Sequence, residues 1–257
     1  MIDTVFDLIG AALSEVSRRP LVIGICGAQG SGKSTVAAAV ADRLAASGLS
    51  VATLSLDDLY LSRADRFALA ATVHPLLATR GVPGTHDTTL GLALFAALDR
   101  GETVRLPRFD KASDDRAPED AWQPVAAGLD VLVFEGWCVG AVAQADADLA
   151  APVNALERDE DVDGRWRAYV NAALSGPGYR ALFARIDRLV LLAAPGFEVV
   201  AGWRTEQERR GAGVMTTAEV ARFVAHYERL TRHILAEMPA RADLVIRLAP
   251  DRSVVAA

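Results

Sequence analysis

Residues 24–35 read GICGAQGSGKST, three glycines of a tight turn followed by a lysine and two hydroxyls. The preceding LVIGIC (Leu21 to Cys26) is short, apolar and partly β-branched, as a buried parallel strand is. The following TVAAAVADRLAAS is Ala-rich with apolar residues at helical spacing, so the turn joins a strand to a helix. Gly27 to Ser34 satisfies GxxxxGK followed by Ser or Thr at every fixed position, whereas the dinucleotide spacing GxGxxG does not fit. Such a loop turns successive backbone amides inward beside a helix N-terminus, which wraps phosphate oxygens. Gly27, Ala28, Gln29, Gly30, Ser31, Gly32, Lys33, Ser34 and Thr35 are therefore the expected nucleotide cradle. Lys33 is placed to reach the β- and γ-phosphates, and Ser34 to ligate Mg²⁺.

Working outward, apolar strand candidates recur at 21–26, 51–56, 130–134, 188–193 and 243–248, with helical patterns between several of them. That alternation predicts an α/β fold of P-loop NTPase type, a mostly parallel sheet with helices on both faces. The 257 residues suit a single domain over 1–257. Thr216 and Glu219 form a capping box that starts a last helix at roughly 216–237. The tract ERDEDVDGR (157–165) reads as a solvated acidic turn.

Composition narrows the function classes. A net charge of −6 without a lysine-rich tract argues against nucleic acid as the main partner. No apolar run approaches the ~20 residues of a membrane span, and the N-terminus lacks signal-peptide character, so a cytoplasmic protein is expected. Cys26 and Cys138 read as ordinary thiols, and the four histidines combine with them at no zinc-site spacing. No GxSxG elbow is present, and the four tryptophans are scattered as packing residues rather than a base-stacking platform. Only two lysines occur, Lys33 and Lys111.

The acceptor side has its own signals. SVATLSL (50–56) runs into DDLYL, placing Asp57 and Asp58 at the carboxyl end of a strand, where open α/β sheets bind ligands. Either a catalytic or Mg²⁺-binding carboxylate or a turn cap satisfies that position. LDVLVFEGW (129–137) ends in Glu135, a second carboxylate suited to hold Mg²⁺ directly or through water. Two intervals resist periodic reading, HPLLATRGVPGTHD (74–87) and RLPRFDKASDDRAPEDAWQP (105–124). Within about 74–124 they supply Arg80, His86, Asp87, Arg108, Asp110 and Lys111, a mixture of fixed cations and hydrogen-bonding groups that makes the loops a candidate substrate pocket. Near the C-terminus WRTEQERRGAGVMTTAEV puts Arg204 and Arg209 on a helix broken at Gly211 and Gly213, a candidate helical lid at about 203–216.

With these pieces in place the chain resembles the D-glycerate 3-kinase family, P-loop kinases related to uridine kinase and phosphoribulokinase. GAQGSGKST, SLDDLYL, RGVPGTHD, PRFDK, VLVFEGWCVG and WRTEQERR carry the resemblance in order, and Glu135 followed by Gly replaces the Asp that ends a generic Walker B strand. The resemblance implies Mg²⁺- and ATP-dependent phosphorylation of D-glycerate to 3-phosphoglycerate. It makes Asp57 the catalytic carboxylate; from their own positions Lys33, Glu135 and a lid arginine, Arg204 or Arg209, are the further catalytic candidates. Asp58 and Tyr60 join the loop residues as acceptor candidates, Ser34, Asp57 and Glu135 are the metal candidates, and Arg209 is a nucleotide candidate. A related kinase for another small hydroxylated acceptor, or a nucleotide-dependent regulatory protein, also fits the phosphate loop alone. Oligomeric state and the choice of ATP over GTP stay open on these residues.

Overall fold

Near-continuous apolar runs along the strands dictate the centre of the fold. In a computed structural model, β1 (Leu21–Gly27), β2 (Val51–Ser55), β7 (Val131–Gly136), β8 (Arg188–Ala193) and β9 (Leu244–Arg247) form one parallel sheet in the order β2-β7-β1-β8-β9. The structure describes residues 1–210 and 215–255, except the side chains of 208–210. All five sequence-expected strands are present, with ends shifted by a residue or two.

One sheet face turns Leu21, Ile23, Ile25, Val131, Val133, Val190 and Leu192 toward α1 (Ile2–Glu15) and α2 (Lys33–Ala46), which return Val5, Ile9, Val36, Val40 and Leu44. The other turns Val22, Leu54, Leu132, Phe134 and Leu191 toward α4 (Thr88–Asp99), α7 (Pro177–Ala184) and α9 (Thr217–Glu237). Each fully buried Leu or Ile contributes about 1.5–3 kcal/mol by leaving water. The α9 start carries the expected capping box, Thr216 accepting from the Glu219 amide while the Glu219 carboxylate accepts from Thr216 N–H at 2.7 Å.

Smaller elements decorate this frame. α3 (Arg63–Thr72) leads into the 74–87 loop. Two short ribbons follow α4: β3 (Val104–Leu106) pairs with β6 (Gln123–Val125), and β4 (Phe109–Asp110) pairs with β5 (Asp115–Arg116). They resolve the 105–124 interval into hairpins too short to show a strand period. α5 (Ala155–Glu160) and α6 (Arg165–Ser175) precede α7, and α8 (Glu198–Arg210) precedes α9.

The acidic tract departs from its reading as a solvated turn. Glu157 and Asp161 are buried, Glu157 gripped by Arg229 at 2.7 and 2.8 Å. Asp161 accepts from the Trp166 and Arg167 amides and from the Arg167 guanidinium at 2.9 Å. A charge run says nothing of arginines that arrive from α6 and α9 to neutralise it. Asp161 also lies beside His74 and Asp163, with ligating atoms within 4.8 Å of one another, but Arg167 already occupies the carboxylate.

β1 lies at the switch point of the sheet, since the chain leaves it toward β2 on one side and later reaches β8 on the other. Register brings Glu135 level with Ser55 of β2 and Ile25 of β1. The phosphate loop, the Asp57 turn and Glu135 thus leave the sheet at one edge.

Candidate active site

The loop after β1 ends at Gly32, whose φ of +88° is a left-handed conformation that L side chains rarely adopt, and α2 begins at Lys33. Ser34 in the first turn of α2 donates to Glu135 Oε1 at 3.0 Å. Glu135 is 5% exposed, and its Oε2 is buried without a hydrogen-bond partner. A hydroxyl and a carboxylate with an unspent buried oxygen, beside a phosphate loop, are the donor set that a hard divalent cation takes.

Across the cavity, Ser55 accepts from the Asp57 amide and opens a 3₁₀ turn over Leu56–Leu59. That turn aims Asp57 inward and Asp58 away. Asp57 Oδ1 accepts from the Tyr60 hydroxyl at 2.7 Å, and Oδ2 from Lys111 Nζ at 2.8 Å. Burial pushes the Asp57 carboxyl up, but the charges of Lys111 and Lys33, with those two hydrogen bonds, outweigh it and hold the group down at about 2. Asp57 is therefore ionised at any physiological pH. Burial, followed by the Asp57 charge, pushes the Tyr60 phenol well above its ordinary range, so it stays a donor.

A cavity of 650 Å³ joins these groups, lined by Gln29, Lys33, Ser34 and Glu135 on one side and by Ser55, Asp57, Tyr60, Arg80 and Lys111 on the other. Arg204 of α8 also lines it, its guanidinium 5.3 Å from the centre of the Phe223 ring. Four cations face two carboxylates among the described lining residues, so an overall acidic chain presents a cationic hollow suited to polyanions.

Other expected site residues lie outside that lining. Asp58 accepts from the Phe109 amide at 3.1 Å and from Arg108 at 3.0 Å, tying the β2 turn to the 105–124 loop. Arg108 is engaged there and with Gln123. Asp87 caps α4 through the Leu90 amide and pairs with Arg116. Asp110 closes its own turn onto Ala112 and Ser113. His86 is buried, stacked on Tyr60 with ring centres 4.8 Å apart and bonded to the Tyr179 hydroxyl at 2.6 Å. Burial lowers it to about 4, so it is neutral. These five hold the walls of the cavity in place. The Arg209 side chain and the glycine break at 211–213 lie outside the described residues.

Sequence reasoning missed Trp137 and Tyr227. Both line the cavity, and both pin the 74–87 loop: Trp137 Nε1 donates to Gly81 O at 2.8 Å and Tyr227 OH to Arg80 O at 3.1 Å. Gly81 has φ +130°, and a Cβ there would fall 2.0 Å from the Tyr227 oxygen, which gives the RGVPG stretch its glycine. Burial pushes both cysteine thiols up, Cys26 to about 12, in keeping with inert packing thiols. No helix among the described residues is long and apolar enough to cross a membrane.

Comparison with known proteins places this geometry. The chain is 36% identical over 222 residues to an uncharacterized kinase of Schizosaccharomyces pombe, spanning 81% of this chain and 79% of that one. It is 31% identical over 222 residues to the chloroplastic D-glycerate 3-kinase of Arabidopsis thaliana, covering 81% of this chain but 46% of that longer protein. The solved structure of D-glycerate 3-kinase from Cryptococcus neoformans superposes with a TM-score of 0.82 at 25% identity, covering 100% of this chain and 98% of that one. Residues 22–167 match the phosphoribulokinase / uridine kinase family, a span that includes the phosphate loop, the 74–87 and 105–124 loops and Glu135. The chain belongs to that family, and it is a P-loop kinase that transfers phosphate to a hydroxyl acceptor.

Proposed function

We propose that this kinase uses Mg²⁺ and ATP to phosphorylate D-glycerate at its C3 oxygen, giving 3-phosphoglycerate and ADP. The observation that carries the reading is the single cavity in which the phosphate loop faces an ionised carboxylate and two cations of the acceptor loops, Arg80 and Lys111. The D-glycerate 3-kinases of Arabidopsis and Cryptococcus support the choice of acceptor.

In this reading the amides of Ala28 to Lys33 and the Lys33 ammonium hold the β- and γ-phosphates, and Arg204 takes up charge on the transferring group. Arg80 and Lys111 receive the acceptor carboxylate, one as a planar fork and the other as a point charge. Asp57 orients the C3 hydroxyl. As the hydroxyl oxygen bonds to the γ-phosphorus, the bond from that phosphorus to the β–γ bridging oxygen breaks and the hydroxyl proton passes to Asp57. With a loose transition state the proton leaves late, so a carboxylate of low basicity suffices. Ser34 and Glu135 would hold Mg²⁺, which neutralises charge on the β- and γ-oxygens when bound. Residues 74–124 are the acceptor loops of a single domain, and α8 from residue 203 covers the nucleotide.

A coupled ADP-release assay with D-glycerate, L-glycerate, ribulose 5-phosphate, uridine and pantothenate, with product position assigned by NMR, tests the reading. D-glycerate-dependent release with phosphate on C3 is expected. Turnover of another acceptor alone would reassign the loops, and ATP binding without any transfer would replace the kinase reading by a regulatory one.

A further inference from the structure

Among the described residues Arg66 is the largest side chain with no solvent exposure, yet it lies on α3 outside the cavity lining. Burying a guanidinium without exacting partners is strongly unfavourable, so its partners reveal what it secures. Its Nη1 donates to Leu61 O at 2.9 Å, just past the Asp57 turn. Its Nη2 donates to Asp114 O at 3.0 Å and to Asp114 Oδ2 at 2.6 Å, within the hairpin of β4 and β5. The other Asp114 oxygen is paired with Arg80. Asp114 thus stands between two guanidiniums, one sealed in protein and one facing the cavity.

A second route runs parallel to the first. The Arg66 and Arg80 guanidiniums lie 5.6 and 5.3 Å from the centre of the Phe109 ring, and that ring meets Tyr60 edge-on at 5.1 Å. Asp114 has φ +56°, the left-handed region that Asp and Asn tolerate better than most residues, so its carboxylate points where the two arginines need it.

We propose that Arg66 is a positioning residue: through Asp114 it fixes the Arg80 guanidinium for the acceptor carboxylate, and so sets the preference of this kinase for anionic acceptors. The inference rests on the reading above that Arg80 receives the acceptor. A long cation on a loop loses rotamer freedom when it grips a carboxylate, and a pre-set fork has already lost it. Arg66 and Asp114 do that work before the acceptor arrives.

The test is a double-mutant cycle on the full chain with steady-state kinetics in D-glycerate and ATP. Arg66→Lys retains the charge but cannot span Leu61 and Asp114 together; Asp114→Asn retains shape and tolerates the backbone conformation. Each is expected to raise the KM for D-glycerate about 10-fold or more, with kcat and the KM for ATP within about 2-fold of wild type. In an Arg80→Ala background, where the acceptor KM is already raised, neither is expected to add a further increase. Additive effects, or kcat and ATP affinity falling in step with acceptor affinity, would overturn the inference by making Arg66 a general scaffold residue. If Arg80→Ala raises the acceptor KM while Arg66→Lys and Asp114→Asn leave it unchanged, the inference alone fails. If Arg80→Ala leaves it unchanged, the acceptor reading of Arg80 fails and takes the inference with it. Should Arg66→Lys not fold, Asp114→Asn, at a side chain 34% exposed, decides the question.

Discussion

Replacing Asp57 by Asn tests the assignment of the base, because the change preserves shape while removing both the negative charge and the proton-accepting capacity. Two hydrogen bonds converge on this carboxylate, from Tyr60 at 2.7 Å and Lys111 at 2.8 Å. Positioned general bases contribute about 10²–10⁴-fold, and a late proton transfer in a loose transition state belongs at the lower end. We therefore expect kcat to fall about 10²- to 10³-fold, equivalent to about 3–4 kcal/mol, with ATP affinity within about 3-fold because the phosphates are held by the loop and Lys33. A stability effect accompanies it. The carboxyl is held at about 2 against an ordinary 3.8, so its partners favour the ionised, folded form. Converted by linkage this is about 2 kcal/mol at neutral pH, a ceiling because the side chain is 29% exposed. The sign follows from the depressed value: the contribution is complete above about pH 4 and is lost as pH falls toward about 2. Denaturant unfolding of wild type and Asp57→Asn, run beside single-turnover kinetics, should show a stability gap at pH 7 that closes in that window. A variant that keeps kcat within about 3-fold of wild type would refute the base assignment. A comparable loss of kcat in Asp58→Asn instead would move the role to the neighbour, which the hydrogen bonds to Arg108 and Phe109 assign to holding the loop.

Lys33→Ala is expected to lower kcat at least about 10²-fold with an unchanged far-UV spectrum, since its charge acts on phosphate rather than in the core; near-normal turnover would contradict the phosphate-loop assignment. Glu135→Gln should raise the Mg²⁺ concentration for half-maximal rate about 10-fold at fixed ATP, and EDTA should abolish turnover of the wild type; an unchanged Mg²⁺ dependence would remove Glu135 from the cation site. His86, lowered by burial to about 4 from 6.5, takes up its proton more readily when unfolded, so stability should decline as pH falls from about 6.5 to about 4. His86→Gln should flatten that part of the Tm-against-pH curve, and an unaltered slope would locate the acid sensitivity elsewhere. Cys26 and Cys138 should resist iodoacetamide in the native protein and react after unfolding, which mass spectrometry reads directly; rapid native alkylation would contradict their burial.

The phosphate half of the site was legible because its information is local. A strand, a turn and a helix start are encoded within residues 21–47, and the turn can be recognised without knowing what lies across the sheet. The five sheet strands were legible for a related reason, since burial on both faces of a parallel sheet demands near-continuous apolar runs. The short ribbons of 104–125 were not, because two or three residues carry no period. The acidic tract at 157–165 misled for the opposite reason: its local composition is that of a surface turn, and the partner Arg229 of Glu157 lies 72 residues away.

The 74–124 side of the cavity exposes a physical limit on reading a site from residue type. Arg80, Arg108 and Lys111 carry the same charge on paper, and of the three only Arg80 and Lys111 line the cavity. What separates them is which opposite charge each meets. Arg108 is taken by Asp58, 50 residues back, whereas Arg80 meets Asp114, whose second oxygen is bound to Arg66. Arg108 is thereby spent on binding two loops together, while the Arg80–Asp114 pair remains at the cavity wall, where in the proposed function an arriving carboxylate shares the guanidinium with Asp114. Tyr227 reaches the same loop from 147 residues away and Trp137 from 56. A polyanion-binding hollow on a chain of net charge −6 thus depends less on how many cations its loops carry than on which carboxylates the fold leaves beside them.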